Sequence, residues 1–192
     1  MSNYFSNFPT VKHTGENLVD ITRRADIFSF MDDDSNLFIP YHVTEDMRPE
    51  EVAFYYYGSQ ECVWLVYLAN EIIDPYSDWV KPQDELDAYI AKRYAGQSGK
   101  STAVEVLDWT KNTQITDNVA YYRNKEDDDH VVSRDTYLYG PALVEGFEAA
   151  EWEPIRFYEY EFEKNEMKRN INLVNKTYQE AIRLELDKTL NG

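Results

Sequence analysis

The spacing of apolar positions changes twice along the chain. Over the first thirty residues, Phe5, Phe8, Val11, Leu18, Ile21 and Ile27 keep neither a helical nor a strand period. Residues 1–30 are therefore expected to form an extended arm lying along another surface. The charged, turn-forming "MDDDSN" of residues 31–36 ends it. "LFIPYHV" (residues 37–43) is rich in β-formers and predicts a short strand, which Pro40 assigns to a sheet edge. In "TEDMRPEEVAFYYYG" the signals become helical. Thr44 and Asp46 offer caps. Pro49 suits the first turn, where its missing N–H leaves no bond unmade. Glu50 and Glu51 meet the positive end of the helix dipole, and Gly58 stands where a left-handed residue stops the helix. A second helix is expected over residues 60–69, with Val63, Trp64, Tyr67 and Leu68 on one face. The turn-rich "NEIIDPYSDWVKP" leads to a third helix opening at Pro82, with Leu86, Tyr89, Ile90 and Tyr94 on one side.

From Gly96 onward the period reads differently. "STAVEVLDW", "NVAYYR" and "HVVSRDTYLYG" are predicted strands separated by polar tips such as "NKEDDD". "RFYEYEFEK" (residues 156–164) alternates aromatic and acidic residues, as a half-buried strand does. From about residue 165, Met167, Ile171, Val174, Tyr178, Ile182, Leu186 and Leu190 recur at steps of three and four, predicting a long amphipathic C-terminal helix. The expected class is α+β. The expected divisions are an extended arm (1–30), a strand–helix–helix module with an extra helix (31–96), a β-rich region (97–155), and a strand with the C-terminal amphipathic helix (156–192).

Composition narrows the function. The 192 residues are 15% aromatic and include 16 tyrosines, whose apolar face and polar tip suit half-buried surfaces between proteins. The net charge is −17, and residues 26–87 carry 15 acidic side chains against Arg48 and Lys81 alone. Such a surface repels nucleic-acid phosphates and anionic membranes, so neither is an expected partner. Cys62 is the single cysteine, which fits a reducing compartment and excludes an internal disulfide. The N-terminal stretch has no basic start followed by an apolar run, and the longest mostly apolar run, residues 62–69, is far too short to span a membrane.

Several strings invite a chemical reading. "GKST" (residues 99–102) would need a glycine at position 94 to fold around phosphates, and that residue is Tyr94. It also follows a predicted helix where a phosphate loop follows a strand, so residues 96–100 are read as a helix stop and linker. Asp32, Asp34 and Asn36 match the first ligands of a calcium loop, but Leu37 and Val43 stand where glycine and glutamate are required. His13, His42 and His130 lie in separate segments without metal-ligand spacing, and Cys62 opens an apolar helix as a buried thiol does. No catalytic residue, metal or cofactor is expected.

One stretch is more specific: "FIPYHVTEDMRPEEVAFYYYGSQECVWLVYLANEIIDPYSDWVKP" (residues 38–82). Its order of strand, helix, YG turn, Trp-bearing helix, Asn and DP turn resembles the LysM module. Tyr41, Val43, Val52, Ala53, Tyr57, Gly58, Trp64, Val66 or Leu68, Ala69, Asn70, Ile73, Asp74 and Pro75 fall on the pattern. Tyr57–Gly58 would close the first helix, Trp64 would pack on the strand, and Asn70 and Asp74 would hydrogen-bond backbone in the tight return. Two departures stand out: Glu45–Asp46 replaces the usual Gly-Asp, and the closing strand is missing after Trp79. Together with the following "DELDAYIAKRYAG" helix, residues 37–96 resemble more narrowly the T-even-type phage baseplate wedge family, the product of phage gene 53. "YEYEFEKNEMKRNINLVNKTY" is similar as well, whereas residues 97–155 are not matched.

That resemblance implies a structural part of a contractile phage tail, not an enzyme. It implies contacts with the helical core bundle of the wedge, the sheath-initiating subunit and the central hub. It also implies six copies per baseplate, a virion location, and assembly in the host cytoplasm. The structural and interface candidates are Tyr41, Tyr57, Gly58, Trp64, Asn70, Asp74, Pro75 and Trp79 in the module, and Ile171, Val174, Tyr178 and Ile182 on the C-terminal stripe. The alternative from another class is a peptidoglycan-binding LysM module, with Tyr55, Tyr56, Trp64 and Trp79 stacking on sugars.

Overall fold

The computed structural model describes residues 9–20, 36–44, 47–143 and 146–191. In chain order the elements are strands β1 (Thr10–His13), β2 (Glu16–Val19) and β3 (Phe38–His42), then helices α1 (Pro49–Tyr57), α2 (Val63–Ala69), α3 (Pro75–Asp78), α4 (Gln83–Ser98) and α5 (Ala103–Lys111). Strands β4 (Val119–Asn124) and β5 (Val131–Val132), helix α6 (Arg134–Leu143), strand β6 (Trp152–Arg156), helix α7 (Phe157–Met167), strand β7 (Asn170–Val174) and helix α8 (Gln179–Asn191) complete the set. The mixture bears out the α+β class. The chain divides into two compact units: unit 1 is Met1–Val80 with Lys168–Gly192, and unit 2 is Lys81–Met167.

The described part of the expected arm is a hairpin. β1 pairs antiparallel with β2, from Thr10 opposite Val19 to His13 opposite Glu16. Thr14 and Gly15 both take positive φ (49° and 93°), the mirror-image turn whose twist matches paired strands. All eight strand residues are exposed. Residues 1–8 and 21–30 of the arm lie outside the described residues, as do Asp32, Asp34 and Asp46.

The rest of unit 1 is built on β3 and β7, an antiparallel pair running from Phe38 opposite Val174 to His42 opposite Asn170. α1 begins with Pro49 in its first turn and stops at Gly58 (φ 81°), as expected. Its cap residue, however, is Arg48 and not Thr44, with the Glu51 carboxylate accepting from the Arg48 N–H at 2.8 Å. A 3₁₀ turn over Gln60–Cys62 leads into α2. Two apolar clusters fill the layer. Leu37, Trp64, Leu65, Val174 and Ile182 form one. Val43, Val52, Ala53, Val66, Trp79, Val80, Ile171 and Leu173 form the other.

β7 corrects one expectation. Trp79 leads into α4 with no strand between, as expected, and the partner of β3 comes only after unit 2. The long C-terminal helix expected from residue 165 is instead the end of α7, β7, a 3₁₀ turn (Lys176–Tyr178) and α8. Ile171 and Leu173 are buried at strand spacing, so the apparent helical step from Ile171 to Val174 was a coincidence of a strand followed by a helix. Asn175 makes the break, its Oδ1 accepting from the Thr177 N–H at 3.1 Å.

Unit 2 carries the three-stranded antiparallel sheet β5–β4–β6 and helices α4 to α7. α4 runs on through Gly96 and stops at Gly99 (φ 64°). Residues 101–109, read as a strand, form most of α5. Thr102 caps that helix and Glu105 answers in a reciprocal capping box, which outweighs the β-branched content of the segment. The GKST string is thus a helix stop followed by a helix cap. Of "HVVSRDTYLYG", only Val131–Val132 is strand. Ser133 Oγ accepts from the Thr136 N–H at 3.1 Å and starts α6. Residues 157–164, also read as a strand, belong to α7. The fully buried positions of α7 are Glu161 and Asn165, so beyond Phe157 and Tyr158, which pack on the core at its start, its inward face is polar.

Hydrogen bonds account for that polar face. Glu161 Oε1 accepts from the Tyr94 hydroxyl at 2.8 Å and pairs with Arg93 Nε at 3.2 Å. Asn165 takes both backbone groups of Lys81, accepting from its N–H at 2.8 Å and donating to its carbonyl at 2.9 Å. That clamp draws the two ends of unit 2 together. Leu86, Ile90, Tyr94 and Val106 form one core of the unit, with Phe157 stacked on Tyr94 at 4.5 Å. Val119, Tyr122 and Trp152 form another, with Tyr137 stacked on Tyr122.

Trp64 fills the centre of the first unit 1 cluster with 9% of its surface exposed. Trp64→Ala is expected to cost about 3–5 kcal/mol of unfolding free energy, read as a lower denaturant midpoint. Phe54→Ala, on the exposed side of α1, is expected to change it by less than about 0.5 kcal/mol.

Candidate interaction surface

The residues singled out in the sequence come together, but as the closure of unit 1 and not as a surface. The hydrogen bonds from Val43 N–H to the Arg169 carbonyl and from Asn175 N–H to the Leu37 carbonyl set the alternation of the ladder. Residues 170, 172 and 174 then turn their backbone groups away from β3. Asn70 meets two of these groups: its Nδ2 donates to the Asn172 carbonyl and its Oδ1 accepts from the Asn172 N–H, both at 2.8 Å. The same amide donates to the Val66 carbonyl at 2.8 Å. Tyr57 caps the next position, its hydroxyl donating to the Val174 carbonyl at 3.0 Å. On the far side of the pair, positions 38, 40 and 42 face outward, and Pro40 there has no N–H to offer an added strand.

The remaining candidates complete this closure. Asp74 starts α3, accepting from the Tyr76 N–H at 3.0 Å, with Pro75 in the first turn. Trp79 is buried, and its Nε1 donates to the Met47 carbonyl at 2.9 Å. Tyr41 and Tyr178 are half-buried beside the clusters, while Ile171, Val174 and Ile182 lie inside them. Gly58 supplies the left-handed stop of α1. Cys62 is half-buried, its sulfur accepting from Gln179 Nε2 at 3.1 Å, and burial pushes its thiol pKa up.

The exposed apolar surface includes Ile73 of the LysM pattern and two residues, Phe54 and Tyr76, that no motif marked. Phe54 is 52% exposed, Ile73 75% and Tyr76 89%. Glu50 and Phe54 share a face of α1, and the Tyr67 hydroxyl reaches Glu50 Oε1 at 3.5 Å. Tyr67 is pushed up to about 12, first by burial and then by the Glu50 charge, with Tyr76 also acting on it. The Tyr67–Glu50 contact links α1 and α2, and Tyr76 of α3 is near enough to act on Tyr67. A signal for this exposed surface was present in "VAFYYY": a nine-residue helix that buries Val52 and Ala53 and half-buries Tyr56 and Tyr57 must leave Phe54 and Tyr55 outside.

In unit 2, an open depression of about 480 Å³ is lined by Arg93, Tyr94, Gln97, Tyr121, Phe157 and Tyr160. Burial, followed by the hydrogen bond to Glu161, holds the Tyr94 phenol well above its ordinary range. Arg123 of β4 pairs with Glu163 of α7 at 2.6 Å. Among the described residues no group of three or more His, Cys, Asp or Glu is placed to hold a metal ion, and no helix is long and apolar enough to cross a membrane.

The family model described as base plate wedge protein 53 matches residues 19–183. The chain belongs to this family. The baseplate wedge protein gp53 of Enterobacteria phage T4 is 27% identical over 66 residues, which is 34% of either chain. The aligned stretch thus spans about a third of the curated relative it matches. Because the family match runs through residues 81–167, unit 2 belongs to the wedge family's own architecture together with unit 1.

Two measurements test the closure. Asn70→Ala removes three hydrogen bonds and is expected to cost roughly 1–2 kcal/mol, water reaching part of the edge it leaves. Tyr57 has its folded pKa raised, first by burial. Its contribution is therefore present below the unfolded tyrosine value of about 10 and is lost as pH rises above it. Unfolding free energy is expected to decline above about pH 10, and Tyr57→Phe to make that decline shallower.

Proposed function

We propose that this wedge-family protein is a structural joint of a contractile phage tail baseplate, holding neighbouring wedges together around the central hub through contacts between polypeptides. The observation that carries the reading is the family match across both compact units. In this reading its partners are the helical core bundle of the wedge, the sheath-initiating subunit and the hub, with six copies per baseplate. It assembles in the host cytoplasm and ends in the virion, and it makes or breaks no covalent bond.

Unit 1 plays the part of a LysM-like module in this proposal. The order strand, helix, helix, strand with an antiparallel pair supports it, with unit 2 placed in sequence before the closing strand. Tyr57, Trp64, Asn70, Asp74, Pro75, Trp79, Ile171, Val174 and Ile182 then serve the joint by fixing its shape, and exposed aromatic residues make the contacts. No observation favours the glycan-binding alternative. Trp64 and Trp79 are buried in the clusters, and Tyr56 is half-buried with Lys176 Nζ at 4.9 Å over its ring.

Mixed with the purified remaining wedge subunits of the same phage, the protein is expected to elute in a stoichiometric complex on size-exclusion chromatography. Phage carrying Trp64→Ala are expected to show missing or unstable tails by electron microscopy. Failure to form any complex, or well-formed contracting tails in that variant, would sink the structural reading.

A further inference from the structure

We infer that the aromatic face of α1, α2 and α3 in unit 1 docks a basic segment of another subunit, one that presents an apolar anchor flanked by Lys or Arg. The inference rests on the joint function proposed above and adds the chemistry of the partner. Two features of the face lead to it. Its centre is apolar and solvent-facing: Phe54, Ile73 and Tyr76 are each more than half exposed, and Tyr67 lies between the helices. Carboxylates outnumber cations around it, with Arg48 at the start of α1, Lys168 beside Ser77 and Lys176 over Tyr56 as the nearby positive charges. From Pro49 to Val80 the chain has six carboxylates, Glu50, Glu51, Glu61, Glu71, Asp74 and Asp78, all exposed, and no Lys, Arg or His. Lys168, which reaches this part of unit 1, donates to the Ser77 carbonyl.

A second copy of this chain is a poor occupant, because it would bring the same carboxylates and a further net charge of −17 against them. A basic partner gains on both counts. Its cations are attracted to the rim, and its apolar anchor covers rings that otherwise face water. Aromatic side chains at the centre with charges at the edge is also the usual division of labour in a specific interface, where burial sets affinity and charge sets selectivity and approach.

The test uses the full-length protein and the purified remaining wedge subunits of the same phage, with binding followed by titration at rising NaCl. Two variants probe the face, Glu50→Lys/Glu71→Lys for its charge and Tyr76→Ala for its centre. Asp127→Lys/Asp128→Lys, in the β4–β5 loop of unit 2, is the charge control. Melting curves confirm that each variant is folded. The expected result is complex formation by the wild type that weakens with salt, at least tenfold weaker binding by both face variants, a flatter salt dependence for the charge variant, and binding within about twofold for the control. Wild-type binding that both face variants retain within twofold overturns the docking inference and leaves the joint function standing. Wild-type protein that binds none of the subunits overturns the joint function and the inference with it.

Discussion

Unit 1 depends on one ladder, the pairing of β3 with β7, whose strands are separated in sequence by three helices and the whole of unit 2. Without β7, the side of the core that holds Ile171, Leu173 and Val174 would be water, and neither Trp64 nor Trp79 would have a complete bed. Such a distant pairing has an entropic cost that grows with the length of free chain between its ends. Unit 2 reduces it. Once folded, with Asn165 holding both backbone groups of Lys81, its two ends are brought together and the free segment falls from roughly 130 residues to roughly 40, a saving of about 1 kcal/mol on a logarithmic closure law. What matters to the ladder is the separation of the chain ends, not the number of residues between them.

Asparagine is the recurring fastener. Asn70 serves as a substitute strand along β7, Asn118 donates to the Trp109 and Asn112 carbonyls at the end of α5, Asn165 ties the ends of unit 2, and Asn175 bonds to both Thr177 and Asn36. A primary amide carries one acceptor and two donor hydrogens, so it can complete a peptide group where no strand or helix is available to do so. An aspartate could replace only the accepting half and would bring a charge into places such as Asn118 and Asn165, which are almost wholly buried. In a chain with so many carboxylates, neutral amides stand at these closures, and Glu161, bonded to Tyr94 and Arg93, is the acid buried among the described residues.

The parts of the fold that were legible in sequence were those governed by short-range rules. Pro49, the two following glutamates and Gly58 bounded α1 because caps and dipoles act within a turn. Pro40 marked an edge because it lacks a donor. The misread elements have their reasons as well. α7 turns Glu161 and Asn165 inward, so its hydrophobic period was hidden, while its aromatic–acidic alternation imitated a strand. α5 is rich in β-branched residues, and the T-A-V-E capping box at its start was the better guide. β7 could not be inferred locally at all, since its partner lies 128 residues away at the His42–Asn170 pair.

The division between motif and surface follows from the same physics. A motif persists in a readable form when several residues must satisfy one geometry together, as Tyr57, Asn70, Trp64 and Trp79 do in closing unit 1. A docking face needs no such mutual geometry within its own chain, because its complement lies on the partner. Phe54 and Tyr76 can therefore belong to no recognisable pattern and still be among the large apolar side chains left more than half exposed. What exposes them is arithmetic of burial: short helices packed on a two-stranded ladder can cover only one side of themselves, and this chain has placed aromatic side chains on both.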